Sequence, residues 1–142
     1  MDNLKLENQL CFPLYVTSKE IVRKYTPLLS KYDLTYTQYI TMMVLWEKKE
    51  INVKELGEIL FLDSGTLTPL LKKLEDKGFI TRKRSSIDER NLIIKITNSG
   101  LELKNKCRDI PECVSKCLNL DKDEAIMLYN TLYKIINCLK ED

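Results

Sequence analysis

Apolar positions change their rhythm along the chain, and each change marks an element. From residue 6 to residue 29 they recur at helical spacing. Leu6, Leu10, Leu14, Ile21, Tyr25 and Leu28 form one row, and Cys11, Tyr15 and Val22 form an adjoining one. Two apolar faces on one helix call for more than one covering neighbour. Pro13 brings no N–H and crowds the preceding turn, so this helix either starts near residue 12 or kinks there; Pro27 marks a second break or bend. Thr35-x-x-Gln38 has the form of a capping box and predicts a helix from Tyr36, with Ile40, Met43 and Val44 facing inward. Asn52-x-x-Glu55 repeats that logic for a short third helix with Val53, Leu56, Ile59 and Leu60 as its buried row. Asp63 or Ser64 caps a fourth. There Leu67, Leu70, Leu71 and Leu74 fall within about a third of the helical wheel. The opposite arc holds Gly65, Thr68, Pro69, Lys72 and Asp76, with Thr66 and Lys73 at its flanks, and Gly78 is a stop.

Residues 79–84 and 91–97 are rich in Ile, Thr and Phe, as strands are, and the polar run SSIDER between them predicts a hairpin tip. Thr97, Asn98 and Ser99 offer caps for a fifth helix, which Pro111 interrupts or bends. Asp121-x-x-Glu124 opens the last helix, where Ala125, Leu128, Leu132, Ile135 and Leu139 step by 3, 4, 3 and 4, the spacing of a helix-packing seam. The predicted class is mainly α with a small β-hairpin (α+β). A winged helix-turn-helix over 34–97 is flanked by terminal helices at 6–29 and 98–142 that pair two chains, all within one 142-residue domain.

Charge sharpens this picture only locally. The net charge of +2 does not by itself argue for nucleic acid. Residues 64–95, however, carry eight basic side chains (Lys72, Lys73, Lys77, Arg82, Lys83, Arg84, Arg90, Lys95) against four acidic ones (Glu75, Asp76, Asp88, Glu89), a net of +4. A helix with leucines inward and short polar or basic groups outward fits the DNA major groove. Ser64, Thr66 and Thr68 stand near its start, where free N–H groups also favour phosphate, and Lys72 and Lys73 follow for phosphate or guanine. The hairpin adds Arg82, Lys83, Arg84 and Arg90, placed for a neighbouring minor groove, and Asp88 is suited to holding Arg90 or another wing arginine in position. Two such modules about a two-fold axis read a palindrome with half-sites roughly 34 Å apart.

Chemistry elsewhere is restricted. There is no histidine, which removes Ser-His and Cys-His catalysis, and neither a C-x-x-C nor a thioredoxin-like βαβ pattern, which speaks against a thiol peroxidase. No enzyme and no cofactor is expected. Cys113 and Cys117, spaced C-x3-C, have no second pair to complete a zinc site, so no metal is expected either. No run approaches the roughly 20 apolar residues of a membrane span, and MDNLKLENQ lacks the pattern of a signal peptide, so a cytoplasmic protein with reduced thiols and no membrane partner is expected. Of the five cysteines, Cys11 lies one turn before Tyr15, while Tyr25, Tyr36 and Tyr39 lie near the junction of the first two helices. Phenols donate hydrogen bonds to a thiolate, the form that attacks peroxides. A lone helical cysteine is more often a small core residue, and the residues alone leave both readings open. Core packing is the expectation for Cys107 and Cys138.

The words LENQLCFPLY, ITMMVLWE, LDSGTLTPLLKKLE, GFITRKRSSIDERN and ITNSG resemble, over essentially the whole chain, the MarR family of winged-helix dimers. The resemblance is closest to its organic hydroperoxide-resistance regulators (OhrR). Asp88 and Arg90 match the family's wing signature. The resemblance implies a homodimeric repressor of a palindromic double-stranded operator whose reactive cysteine is Cys11 and whose inducer is an organic hydroperoxide. It implies that Tyr25 and Tyr36 of the partner subunit, with Tyr15 of the same subunit, bond the thiolate. Oxidised Cys11 would then pair with Cys113 or Cys117 across the dimer, or be capped by a low-molecular-weight thiol. Two alternatives share the fold: a MarR-type regulator responding to a small aromatic ligand in the dimer cleft, and a broader thiol-based stress or virulence regulator.

Overall fold

The computed structural model describes residues 2–140; the last two positions of the expected 98–142 segment lie outside the described residues. It is mainly helical with one small antiparallel sheet, in the order α1 (Cys11–Leu29), α2 (Tyr36–Lys48), β1 (Glu50–Asn52), α3 (Val53–Leu60), α4 (Ser64–Asp76), β2 (Ile80–Arg84), β3 (Leu92–Ile96), α5 (Asn98–Lys106), α6 (Ile110–Leu118) and α7 (Lys122–Lys140). The chain divides into two compact units, one running through Arg108 and one beginning at Asp109.

Local capping sets most boundaries. Thr35 Oγ1 accepts from Gln38 N while Gln38 Oε1 accepts from Thr35 N, closing the box before α2. Asn52 Oδ1 accepts from Glu55 N at 2.8 Å, Asp63 Oδ1 from Thr66 N at 2.8 Å and Thr97 Oγ1 from Gly100 N at 3.1 Å. In the second unit Asp121 and Glu124 exchange bonds before α7. Each satisfies a helix-start N–H that has no partner inside its helix.

Of the two readings open at Pro13, the helix starts near residue 12, α1 opening at Cys11 after a 3-10 turn at Leu6–Asn8; five other expectations are corrected. Pro13 is therefore the third residue of α1, within the first turn, where N–H groups have no intrahelical acceptor to lose. The helix then runs through Pro27 to Leu29 without a break. On α2 the buried residues are Gln38, Tyr39, Thr41, Met42, Leu45 and Trp46, whereas Met43 is 44% exposed and Ile40 and Val44 are half-buried. The helix turns this way because its large rings lie at Tyr39 and Trp46, and burying Trp46 is made possible by its Nε1–H donating to the Gly100 carbonyl at 2.8 Å. On α3 only Leu56 and Gly57 are buried, and Ile59 is exposed. The hairpin gains a third strand: β1 pairs with β3, Ile51 opposite Ile94, giving the order β1-β3-β2. Cys138 is exposed rather than packed in a core.

The first unit's core joins Leu29, Met42, Leu45, Leu56, Leu67, Leu71, Leu74, Ile80 and Ile94, all essentially without solvent contact. Gly57 lets the turn between α3 and α4 close, since a Cβ there would lie 2.8 Å from the Leu62 carbonyl oxygen. Gly100 lets α5 approach β2 so closely that a methyl would strike the Phe79 carbonyl. The terminal helices differ. Leu29 is the one buried residue of α1, and α7 has none.

Candidate functional site

Helix α4 presents a polar face because its four leucines are taken by the core. Leu67, Leu70, Leu71 and Leu74 are buried, and Ser64, Thr66, Thr68, Pro69, Lys72 and Lys73 are exposed on the other side. Thr68 Oγ1 donates to the Ser64 carbonyl at 2.8 Å. The helix N-terminus lies at Ser64, and the Asp63 carboxylate already takes the Thr66 N–H there.

The wing is built from the strand register. Arg84 stands opposite Leu92 at its base, and residues 85–91 form the tip, closed by Ser85 N to the Asn91 carbonyl at 2.8 Å and by Ser85 Oγ accepting from Ile87 N and Asp88 N. Asp88 Oδ1 accepts from Arg90 N at 3.0 Å and lies 3.5 Å from Arg90 Nε, so the pair noted in the sequence is in contact. Arg84 Nη1 donates to the Glu89 carbonyl at 3.2 Å. Lys83, Arg84 and Arg90 are exposed. Ile87 stands 96% exposed at the tip, an apolar group placed among charges that periodicity gives no reason to single out.

Arg82 differs from its neighbours. Its Nε and Nη2 both donate to Glu75 Oε1, at 3.2 and 3.1 Å, and its main-chain N–H donates to Glu75 Oε2 at 3.0 Å. Those bonds hold the Glu75 carboxyl below the ordinary glutamate value. Arg82 therefore faces α4, tying helix to wing, rather than standing free as the sequence suggested.

Cys11 opens α1, is exposed, and sits at the helix end that favours negative charge. Tyr15, one turn on, is exposed, with Lys19 Nζ 5.5 Å from its ring centre. The tyrosines at the α1–α2 junction pack together: Tyr25 to Tyr36 at 4.8 Å between ring centres, Tyr25 to Tyr39 at 5.7 Å, and Tyr39 edge-on to Trp46 at 6.1 Å. Burial raises the phenol pKa of Tyr25 and Tyr36 and pushes Tyr39 up to about 12, so these hydroxyls keep their protons and remain donors at neutral pH. Cys11 and Tyr25 stand fourteen residues apart on one helix, about 21 Å at the α-helical rise. One chain thus brings Cys11 and Tyr15 together, and separately Tyr25 and Tyr36, but not the two pairs.

The remaining thiols fall into kinds. Cys107 is buried, and burial pushes its thiol pKa up, as for an unreactive core residue. Cys113 and Cys117 are exposed one turn apart on α6, the Cys117 thiol 3.5 Å from the Cys113 carbonyl oxygen. Among the described residues no group of three Cys, Asp or Glu side chains is arranged to hold a metal ion, and no helix is long and apolar enough to cross a membrane.

Residues 23–107 match the family of transcriptional regulators SarA/Rot. The chain is 46% identical over 140 residues to the organic hydroperoxide resistance transcriptional regulator of Bacillus subtilis, covering 99% of this chain and 95% of that protein. It is 50% identical over 132 residues to the HTH-type transcriptional regulator SarZ of Staphylococcus haemolyticus, covering 93% and 90%. Among solved structures it is similar to AbfR of Staphylococcus epidermidis. Reduced AbfR bound to DNA superposes with a TM-score of 0.82 at 33% identity over 98% of both chains. Overoxidised AbfR bound to DNA gives 0.79 over 97% of both, and the disulfide form of AbfR gives 0.66 over 99% of this chain and 96% of that one.

Proposed function

The chain belongs to the SarA/Rot family of transcriptional regulators, of the MarR winged-helix type, and from that premise we propose that it is a repressor controlled by the oxidation of Cys11. It works in the cytoplasm as a homodimer on a palindromic double-stranded operator. Helix α4 enters the major groove through Ser64, Thr66, Thr68, Lys72 and Lys73. Lys83, Arg84 and Arg90 follow the backbone and the adjacent minor groove, Asp88 fixes the Arg90 fork, and Arg82 braces the wing from behind.

The observation that carries the sensor half of this reading is the separation of Cys11 from Tyr25 and Tyr36. Tyr15 is one turn from the thiolate, but Tyr25, with Tyr36 against it, is about 21 Å away in the same chain, so on this reading a second copy supplies those two donors. The exposed apolar faces of α1 and α7 supply the means of pairing: Phe12, Leu14 and Val22 on one, Ile126, Leu128 and Tyr133 on the other. The expected 6–29 and 98–142 dimerisation segments contain both faces.

An organic hydroperoxide then transfers one oxygen to the Cys11 thiolate, giving a sulfenic acid and the corresponding alcohol. The sulfenic acid condenses with a second thiol, forming an S–S bond and releasing water. The second thiol is Cys113 or Cys117 of the other subunit, or a low-molecular-weight thiol. Condensation matters more than oxygen uptake itself. AbfR has been captured on DNA both reduced and overoxidised, and it is the disulfide form whose likeness to this chain falls. A shift of a few kcal/mol empties the operator, since about 1.4 kcal/mol is tenfold in affinity.

The test uses a duplex selected from a random pool by the reduced protein. One equivalent of cumene hydroperoxide should release it from wild type by 100-fold or so in affinity and leave Cys11→Ser bound. Release of the Ser variant by peroxide would overturn the sensor assignment. Cys113→Ser and Cys117→Ser tell which thiol resolves the sulfenic acid.

A further inference from the structure

The geometry points to Lys77 as a positioning residue that transmits the state of the tyrosine junction to the reading helix. Lys77 ends α4, where its N–H donates to the Lys73 and Glu75 carbonyls. Its ammonium reaches the turn before α2. There it donates to the Asp33 main-chain oxygen and to Gln38 Oε1 at 3.1 Å, and stands 3.6 Å from Asp33 Oδ2. An ammonium has three N–H donors, and three oxygens here surround it.

The two partners differ: the Asp33 carboxylate is exposed, whereas Gln38 is not an ordinary surface group. Gln38 is 3% exposed, and its Oε1 also accepts from Thr35 N at 3.1 Å as half of the capping box of α2. One amide oxygen thus both starts the helix and holds the cation at the end of α4. Tyr36 lies between the two capping residues, its ring against Tyr25. Asp33, with φ of 55°, is a left-handed residue that closes the turn leading into Thr35.

The consequence follows from the directionality of the bonds. Apolar contact between α2 and α4 has no preferred direction. A cation held by oxygens of the Asp33 turn and of the first turn of α2 does. If Tyr36 shifts when its bonding partner is lost, the first turn of α2 moves with it, and Gln38 Oε1 cannot keep both of its donors. The last turn of α4 then loses its anchor. Gly78, with φ of 82°, leads from that turn directly into β2, so the wing follows.

This inference rests on the thiol-sensor reading for what displaces Tyr36, but its test displaces Tyr36 by substitution and needs neither peroxide nor DNA. Amide hydrogen exchange over residues 70–82 is measured in the full chain for wild type and Tyr36→Ala, each with Lys77, Lys77→Arg or Lys77→Met. Tyr36→Ala should speed exchange in the last turn of α4 about threefold or more with Lys77 or Arg at 77, and should add nothing there with Met. A merely structural lysine would loosen α4 when removed but leave the increment from Tyr36→Ala unchanged. Asp33→Asn, which keeps a residue at ease in the left-handed region, provides a milder cut with the same direction should Lys77→Met not fold. An equal increment with and without Lys77, or no increment in the wild-type background, would overturn the inference. A wild type indifferent to peroxide would overturn the sensor reading and leave this result standing.

Discussion

The winged segment from α2 to β3 and the two long terminal helices use apolar residues in opposite ways. The first satisfies its own: its leucines and isoleucines at 45, 56, 67, 71, 74, 80 and 94 are almost wholly removed from solvent within one chain. The second leaves them uncovered. Helix α1 buries Leu29 alone and α7 buries nothing, although Met127, Tyr129 and Leu139 are all more than 60% exposed. At about 1.5–3 kcal/mol for each fully buried large side chain, the first arrangement accounts for a stable module. The second is what the proposed dimer would use as half of an interface. On the proposed reading, the DNA-contacting surface is complete in one chain, while the sensor needs another.

The comparison can be broken most severely at the uncovered faces. Charging α7 with Leu128→Glu and Ile135→Glu should convert the dimer to monomer by light scattering and cost 100-fold or more in operator affinity, because two half-sites are no longer bound together. A dimer that survives would move the interface elsewhere. Within the winged segment, Leu74→Ala should lower unfolding free energy by about 2–5 kcal/mol in urea, without changing the subunit mass ratio of what remains folded. Gly100→Ala should cost about 1–3 kcal/mol in the same assay, since the added methyl meets the Phe79 carbonyl and the Ile96 side chain.

Smaller effects sharpen the picture of the wing. Glu75→Gln should cost about 1–2 kcal/mol by removing a charge-assisted bond to Arg82. The sign of the pH dependence follows from the lowered Glu75 pKa. The stabilisation is fully present above the ordinary glutamate value of 4.5 and is lost as pH falls through the lower value of the folded state. Acid titration of wild type and Glu75→Gln should therefore converge below that point; divergence on acidification would contradict the brace. Smallest of all, Arg90→Ala should weaken DNA binding for every sequence alike and reduce the salt dependence by about one phosphate contact. Lost discrimination between sequences at constant salt slope would instead make Arg90 a base reader.

What could be read without coordinates was local. The caps at Thr35, Asn52, Asp63, Thr97 and Asp121 bond within three residues of themselves, and the leucine row of α4 needs only the helical period. What was missed depends on distant partners. β1 has three residues and exists only by pairing with β3, more than forty positions away. The buried face of α2 departs from its apolar periodicity because Trp46 is directed by the Gly100 carbonyl, 54 residues on. Arg82 and Lys77 look like solvated charges until Glu75, Gln38 and Asp33 are placed beside them. The residues proposed for the sensor stand out as residue types, but that Cys11 and Tyr25 lie about 21 Å apart follows only from the length of α1.

Native mass spectrometry of the reduced protein on its selected duplex, during addition of one equivalent of organic hydroperoxide, reports subunit number and the chemical state of Cys11 together. The account predicts two subunits per duplex while Cys11 is a free thiol, and free duplex appearing in step with a disulfide at Cys11. A single subunit per duplex, or a duplex still fully bound once that disulfide has formed, would contradict it.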